Sequence, residues 1–132
     1  MTQTADCPRD PILRVVPGPG DINSNGHIFG GWVLSQMDIA GGIVAGRTAQ
    51  GACATVAIEA MAFIAPILLR DLISVYAHVE RRGRTSMGIR IEVIATRGPG
   101  EEVKVTEGLF TFVALDAQHR PRPLPPEETT GA

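Results

Sequence analysis

Gly30-Gly-Trp-Val-Leu-Ser-Gln-Met-Asp-Ile-Ala-Gly-Gly-Ile-Val-Ala-Gly-Arg47 is the segment on which the fold turns. Trp32, Val33, Met37, Ala40, Ile43 and Val44 recur at helical spacing. At ~100° per residue they form one broad apolar face. Ser35, Asp38, Gly42, Ala45 and Gly46 share a second face, and its side chains are small. An ordinary solvated face would carry Lys, Glu and Gln. Small residues instead let another backbone or a ligand approach closely. Gly41, Gly42 and Gly46 each cost about 1 kcal/mol relative to Ala in a helix interior, so their presence points to packing.

On both sides of this helix the period falls to two. Residues 11–16 read as a short strand, stopped by Pro17-Gly-Pro-Gly20. Residues 21–29 form a polar loop. After the helix, residues 54–64 read as a long strand ended by Pro66. Residues 69–82 follow, with Ile73, Val75, Ala77 and Val79 on one face, and Arg82-Gly83-Arg84 as a turn. Residues 85–97 place Met87, Ile89, Ile91, Val93 and Ala95 inward, and Arg90, Glu92 and Thr96 outward. Arg97-Gly-Pro-Gly100 turns into a last strand, 102–115. The order is strand, helix, four long strands: an α+β domain in which one helix covers one face of an antiparallel sheet. One helix is too narrow for five strands, and strands this apolar leave an edge to manage. Both points argue for a homo-oligomer that pairs sheets edge to edge. The domain is expected over 11–116, after a flexible leader at 1–10. A Pro-rich, partly ordered tail is expected at 117–132.

The 132 residues suffice for one domain with one core. Only 5% are aromatic, so Val, Ile, Leu, Ala and Met must fill that core. A formal net charge of -2 gives no basic field to attract nucleic acid. Lys104 is the only lysine; arginines suit bidentate phosphate binding, although a codon preference explains the bias equally well. Cys7 and Cys53 form no CxxC, and with His27, His78 and His119 they make no metal-ligand spacing. The first ten residues lack an apolar signal core. No run approaches the ~18–20 apolar residues that span a bilayer. A reduced, cytoplasmic chain without metal or membrane partner is the simplest reading. There is no Gly-x-Ser-x-Gly elbow, no G-x-G-x-x-G after a strand and no P-loop lysine.

Chemistry gathers at the entry to the helix. Phe29-Gly30-Gly31 opens it, and free N–H groups at a helix N-terminus form a partial positive site. With two glycines this is a ready-made oxyanion hole for acyl transfer, or simply a tight turn. Asp38 lies two turns in. A carboxylate in apolar surroundings has a raised pKa and can act as a base; a solvated or Arg-paired Asp is the equal alternative. Asn23 and Asn25 can orient a water or a carbonyl, or make Asx-turns. His27 is a loop histidine that could serve as a base.

Asp21-Ile-Asn-Ser-Asn-Gly-His-Ile-Phe-Gly-Gly-Trp-Val-Leu-Ser-Gln-Met-Asp38 closely resembles the signature of YciA-like acyl-CoA thioesterases of the hotdog-fold superfamily, related to the brain acyl-CoA hydrolase group. The resemblance continues through 56–67, 82–87 and 109–116. It implies a five-stranded antiparallel sheet wrapped around one long central helix. It implies hydrolysis of acyl-CoA without metal or organic cofactor, at the interface of a dimer, commonly within a trimer of dimers. In that picture Asp38 is general base or nucleophile, and Asn23 of the facing subunit orients water or the thioester carbonyl. Phe29, Gly30 and Gly31 form the oxyanion segment, and CoA runs over Arg82, Arg84, Thr85 and Ser86. Ala62 and Ala65 stand where close relatives carry Asn and Lys, which bears on acyl preference and CoA affinity. Two rivals are a hotdog dehydratase or hydratase using His27 and Asp38, and a non-catalytic acyl-CoA-binding module.

Overall fold

The structure, a computed structural model, describes residues 10–127. The strands are β1 (Leu13–Val15), β2 (Cys53–Phe63), β3 (Leu72–Arg82), β4 (Ser86–Thr96) and β5 (Glu102–Ala114), and the helix is α1 (Gly30–Ala49). All strand pairs are antiparallel, in the order β1-β3-β4-β5-β2. The sheet curls around α1, which touches β2, β3, β4 and β5. Strict alternation drives this arrangement. Met87, Ile89, Ile91, Val93 and Ala95 all face α1 and are fully buried. The cross-strand partners Val75 and Val79 on β3 and Phe110 and Phe112 on β5 extend that face.

The helix does not bury the whole of the expected face. Val33, Met37, Ala40, Gly41, Ala45 and Ala49 meet the sheet, whereas Ile43 is exposed. Ala45, expected on the small face, is in the core. Close approach explains the rotation. A Cβ at Gly41 would lie 2.9 Å from both Ile91 Cδ1 and the Phe112 ring, so the small residues are what let the sheet come near. With Asp38 and Arg47 its only charges, α1 is apolar nearly all round, the pattern of a helix that is covered on most sides.

Three other expectations need correction. β3 starts at Leu72 rather than 69, because Asp71 closes a turn: its N–H donates to Leu68 O at 3.0 Å and its carboxylate accepts the Leu68 N–H at 2.8 Å. A 3-10 turn at Pro19–Asp21 interrupts the stretch read as irregular. Glu92 lies on the sheet's outer face but is buried there, accepting from Lys104 Nζ at 2.9 Å.

The two sheet edges differ. β1 is three residues long and carries Arg14. β2 is eleven residues long, is bulged near Val56 and Ala60, and has a single charge, Glu59. Its Ile58 and Phe63 pair with inward-facing residues of β5, yet they are 46% and 57% exposed. Val56 beside them is 58% exposed, and Ile39 of α1 is 51% exposed. No described helix is long and apolar enough to cross a membrane.

Candidate active site

The loop before α1 is organised by Asn23. Its Oδ1 accepts the N–H groups of Asn25 at 2.8 Å and His27 at 3.1 Å. Backbone bonds from Asn23 N to His27 O (2.7 Å) and Gly26 N to Asn23 O (3.0 Å) close the loop, with Gly26 at φ 82°. This is the turn chemistry that the sequence allowed. It also settles the amide's orientation, since only the oxygen can accept from two N–H groups. The Asn23 acceptor is therefore spent, while its Nδ2 donors meet no acceptor among the described residues and are left for a ligand.

The helix begins without a side-chain cap, because its N-cap residue is Phe29. The Phe29 N–H itself donates to Asp21 O at 3.0 Å, so of the predicted oxyanion segment Phe29 contributes no free backbone donor. Those donors start at Gly30 and Gly31, for which no acceptor is found among the described residues. The Phe63 ring packs over this terminus: a Cβ at Gly30 would meet it at 3.3 Å. Asn23, His27, Gly30, Phe63, Pro66 and Thr106 line a groove of about 420 Å³ whose remaining walls are aliphatic. An apolar groove ending at uncapped helix N–H groups can hold an acyl chain and polarise its carbonyl.

Asp38 is not in that groove. Eight residues beyond Gly30, it lies about 12 Å along the helix axis. It is exposed in the single chain, the solvated one of the two alternatives that the sequence left open. Its Oδ1 accepts the Thr55 Oγ1–H of β2 at 2.5 Å. Thr55 was not foreseen from the sequence; its inward position on the edge strand, beside Asp38, comes from the register of β2 on β5. Ile39, next to Asp38 in the chain, and Val56, next to Thr55, are apolar and exposed as well. Within one chain, then, Asn23 and Gly30 share a groove, while Asp38 stands apart on the uncovered side of the helix beside the free sheet edge.

The 82–86 turn lies at the opposite end of the sheet from the groove. Arg82 Nη2 donates to Pro125 O at 2.6 Å. The carbonyls of Arg84, Thr85 and Ser86 accept from Leu124, Ala114 and Gly83. Cys53, the only thiol among the described residues, is no nucleophile in waiting. Burial pushes it up, the Arg122 charge offsets this only in part, and its Sγ contacts Ala45 O at 3.5 Å. Cys7 lies outside the described residues.

Another buried group was not singled out in the sequence. Asp71 is 1% exposed and accepts Arg97 Nε at both oxygens, 2.9 and 3.1 Å. Arg97 Nη2 also reaches Pro66 O at 2.5 Å. The pair anchors the loop that walls the groove at Pro66 and Ile67.

Comparison with known proteins agrees with this fold. The thioesterase superfamily model matches residues 25–101. The acyl-CoA thioester hydrolase YciA of Salmonella typhimurium is 46% identical over 118 residues, covering 86% of this chain and 89% of the relative. The YciA of Escherichia coli strain K12 is 43% identical over 132 residues, covering 96% and 100%. The crystal structure of the hexameric thioesterase y2039 of Yersinia pestis superposes with a TM-score of 0.86 at 41% identity, covering 91% and 99%. A helix wrapped by a five-stranded antiparallel sheet, together with these matches, makes the chain a hotdog-fold member of the thioesterase superfamily, in the family that holds the YciA acyl-CoA thioester hydrolases.

Proposed function

We propose that this chain hydrolyses acyl-CoA to a carboxylic acid and CoA, at a site completed by a second copy of itself. The observation that carries the reading is the position of Asp38: held by Thr55, on an apolar flank that the single chain leaves uncovered. A second copy paired along β2 would cover Ile39, Val56 and Ile58, and would enclose the Asp38 carboxylate among them. It would also bring a facing subunit's Asn23 and Gly30-Gly31 entry toward Asp38. The hexameric state of the Yersinia pestis relative supports a trimer of such dimers.

In this reading the thioester carbonyl accepts from the Gly30 and Gly31 N–H groups and from Asn23 Nδ2. Asp38 takes a proton from water, the water oxygen bonds to the acyl carbon, the C–S bond breaks, and the proton passes from Asp38 to the departing sulfur, which leaves as the thiol. Attack by the Asp38 carboxylate itself, followed by hydrolysis of the anhydride, is the variant with Asp38 as nucleophile. Neither route uses a metal or an organic cofactor. The phosphates of CoA meet Arg82 and Arg84, with Thr85 and Ser86 beside them. The chain is read as cytoplasmic.

A panel of acyl-CoAs with a thiol-release readout tests this. Asp38→Asn is expected to lower turnover by ~10²–10⁴ with the fold intact. Near-normal turnover by a folded Asp38→Asn protein would sink the assignment. Hydration of an enoyl-CoA without thiol release would favour the dehydratase, and tight binding with neither reaction the binding module.

A further inference from the structure

The segment after β5 folds back over the end of the sheet where the 82–86 turn lies. Arg122 anchors it: Nη2 donates to Ala49 O, at the end of α1, and Nε to Leu115 O, both at 2.9 Å. Leu124 packs against the core, and its N–H donates to Arg84 O at 2.9 Å. The next residue, Pro125, accepts Arg82 Nη2. Pro121, Pro123, Pro125 and Pro126 restrict φ along the segment, so it is a stiff strap tied down at its base and on the turn. Pro125, Pro126 and Glu127 form one wall of a cleft of about 640 Å³, and Arg82, Arg81 and Arg47 stand on the other walls. Two carboxylates face the same space. Glu80 is held by Arg90 at 2.8 Å and Arg81 pairs with Glu59 at 3.4 Å, which leaves Glu127 with the guanidinium groups of Arg47 and Arg82.

An arginine has five N–H donors on a long side chain that is free to adopt many rotamers. A bond from one donor to a fixed carbonyl costs one contact but orients the others. We propose that the strap, residues 121–127, is a positioning element: by holding Arg82 through the Pro125 carbonyl, it sets that guanidinium to bind the phosphates of CoA. The inference rests on the reading above that Arg82 meets those phosphates.

Substituting within the strap, in the full-length chain, tests it. Leu124→Pro removes the N–H that ties the strap to Arg84; Leu124→Met keeps it. Each is assayed with one acyl group carried on CoA and on pantetheine, which has the thiol arm but no phosphate. Leu124→Pro is expected to raise KM for the acyl-CoA about tenfold, with kcat unchanged and KM for the acyl-pantetheine unmoved. Leu124→Met should behave as the parent. Arg82→Ala should also weaken the acyl-CoA alone, and adding Leu124→Pro to it should change nothing further. If Arg82→Ala leaves the preference for CoA over pantetheine intact, the phosphate reading of Arg82 fails and the strap's role falls with it. If Arg82→Ala reduces that preference but Leu124→Pro does not, the strap is no positioning element. A shift of both substrates together would make it a structural brace only. A fall in KM for the acyl-CoA would make its carbonyl a competitor for Arg82, and would overturn the inference.

Discussion

Thr55 of β2 donates its hydroxyl to Asp38 of α1 at 2.5 Å, tying the helix's single carboxylate to the free edge of the sheet. The bond fixes one carboxylate oxygen, and the other accepts from nothing among the described residues. If Asp38 is the base, Thr55 sets which lone pairs face the water. Thr55→Val should then lower kcat about ten- to a hundredfold, the range for losing a hydrogen bond to a charged group. Thr55→Ser should recover most of it. Equal turnover in Thr55→Val and parent would leave the pair as a packing detail.

Asn23 holds its loop with its oxygen and can serve a substrate only with its nitrogen, and one substitution separates the two roles. Asn23→Asp keeps an acceptor for the Asn25 and His27 N–H groups but has no donor. Its expected outcome is an unchanged melting temperature with kcat lower by about 10²–10³, the cost of one oxyanion donor. Asn23→Ala should lose both turnover and about 1 kcal/mol of stability. A fully active Asn23→Asp enzyme would confine Asn23 to the turn.

The apolar side chains along β2 bear on assembly. Ile58→Lys places a charge on the exposed flank of the edge strand, where a partner would have to bury it. Light scattering should then show a smaller species than the parent, and activity should fall with the loss of mass. A monomer with parental activity would show that the site is complete within one chain.

Asp71 is buried against Arg97, which is itself about three-quarters buried. Breaking a buried pair by removing one partner typically costs about 3–5 kcal/mol. Asp71→Ala should approach that figure in urea unfolding, because it also frees the Leu68 N–H. Since the pair anchors the Pro66 loop, the acyl-chain preference of any folded variant should broaden as well.

The Glu80 carboxyl is held below its ordinary range chiefly by the hydrogen bond from Arg90. A depressed carboxylate stabilises the folded state above its unfolded pKa, and the contribution is lost as pH falls through the folded value. The Glu80 side chain is 42% exposed, so solvent screens the pair and the effect is small, under about 1 kcal/mol. Comparison of the parent with Glu80→Gln by chemical unfolding should show this difference at neutral pH and none in strong acid.

The elements and their order were legible in the amino-acid sequence. Alternation from Met87 to Ala95, helical spacing from Val33 to Val44 and the turns at Gly83 and Gly98 are local signals, each written within about ten residues. The family, too, was legible in the run from Asp21 to Asp38. What it could not determine is which side of an all-round apolar helix meets the sheet. That was decided by the contact of Gly41 with Ile91 and Phe112, residues about fifty and seventy positions away, and it turned Ile39 and Asp38 outward. The Thr55–Asp38 bond, the Asp71–Arg97 pair and the strap on Arg82 likewise join residues 17, 26 and 43 positions apart. No periodicity records such distances. They exist only once the strands have found their register, because a side chain's neighbours across a sheet are set by pairing rather than by position along the chain.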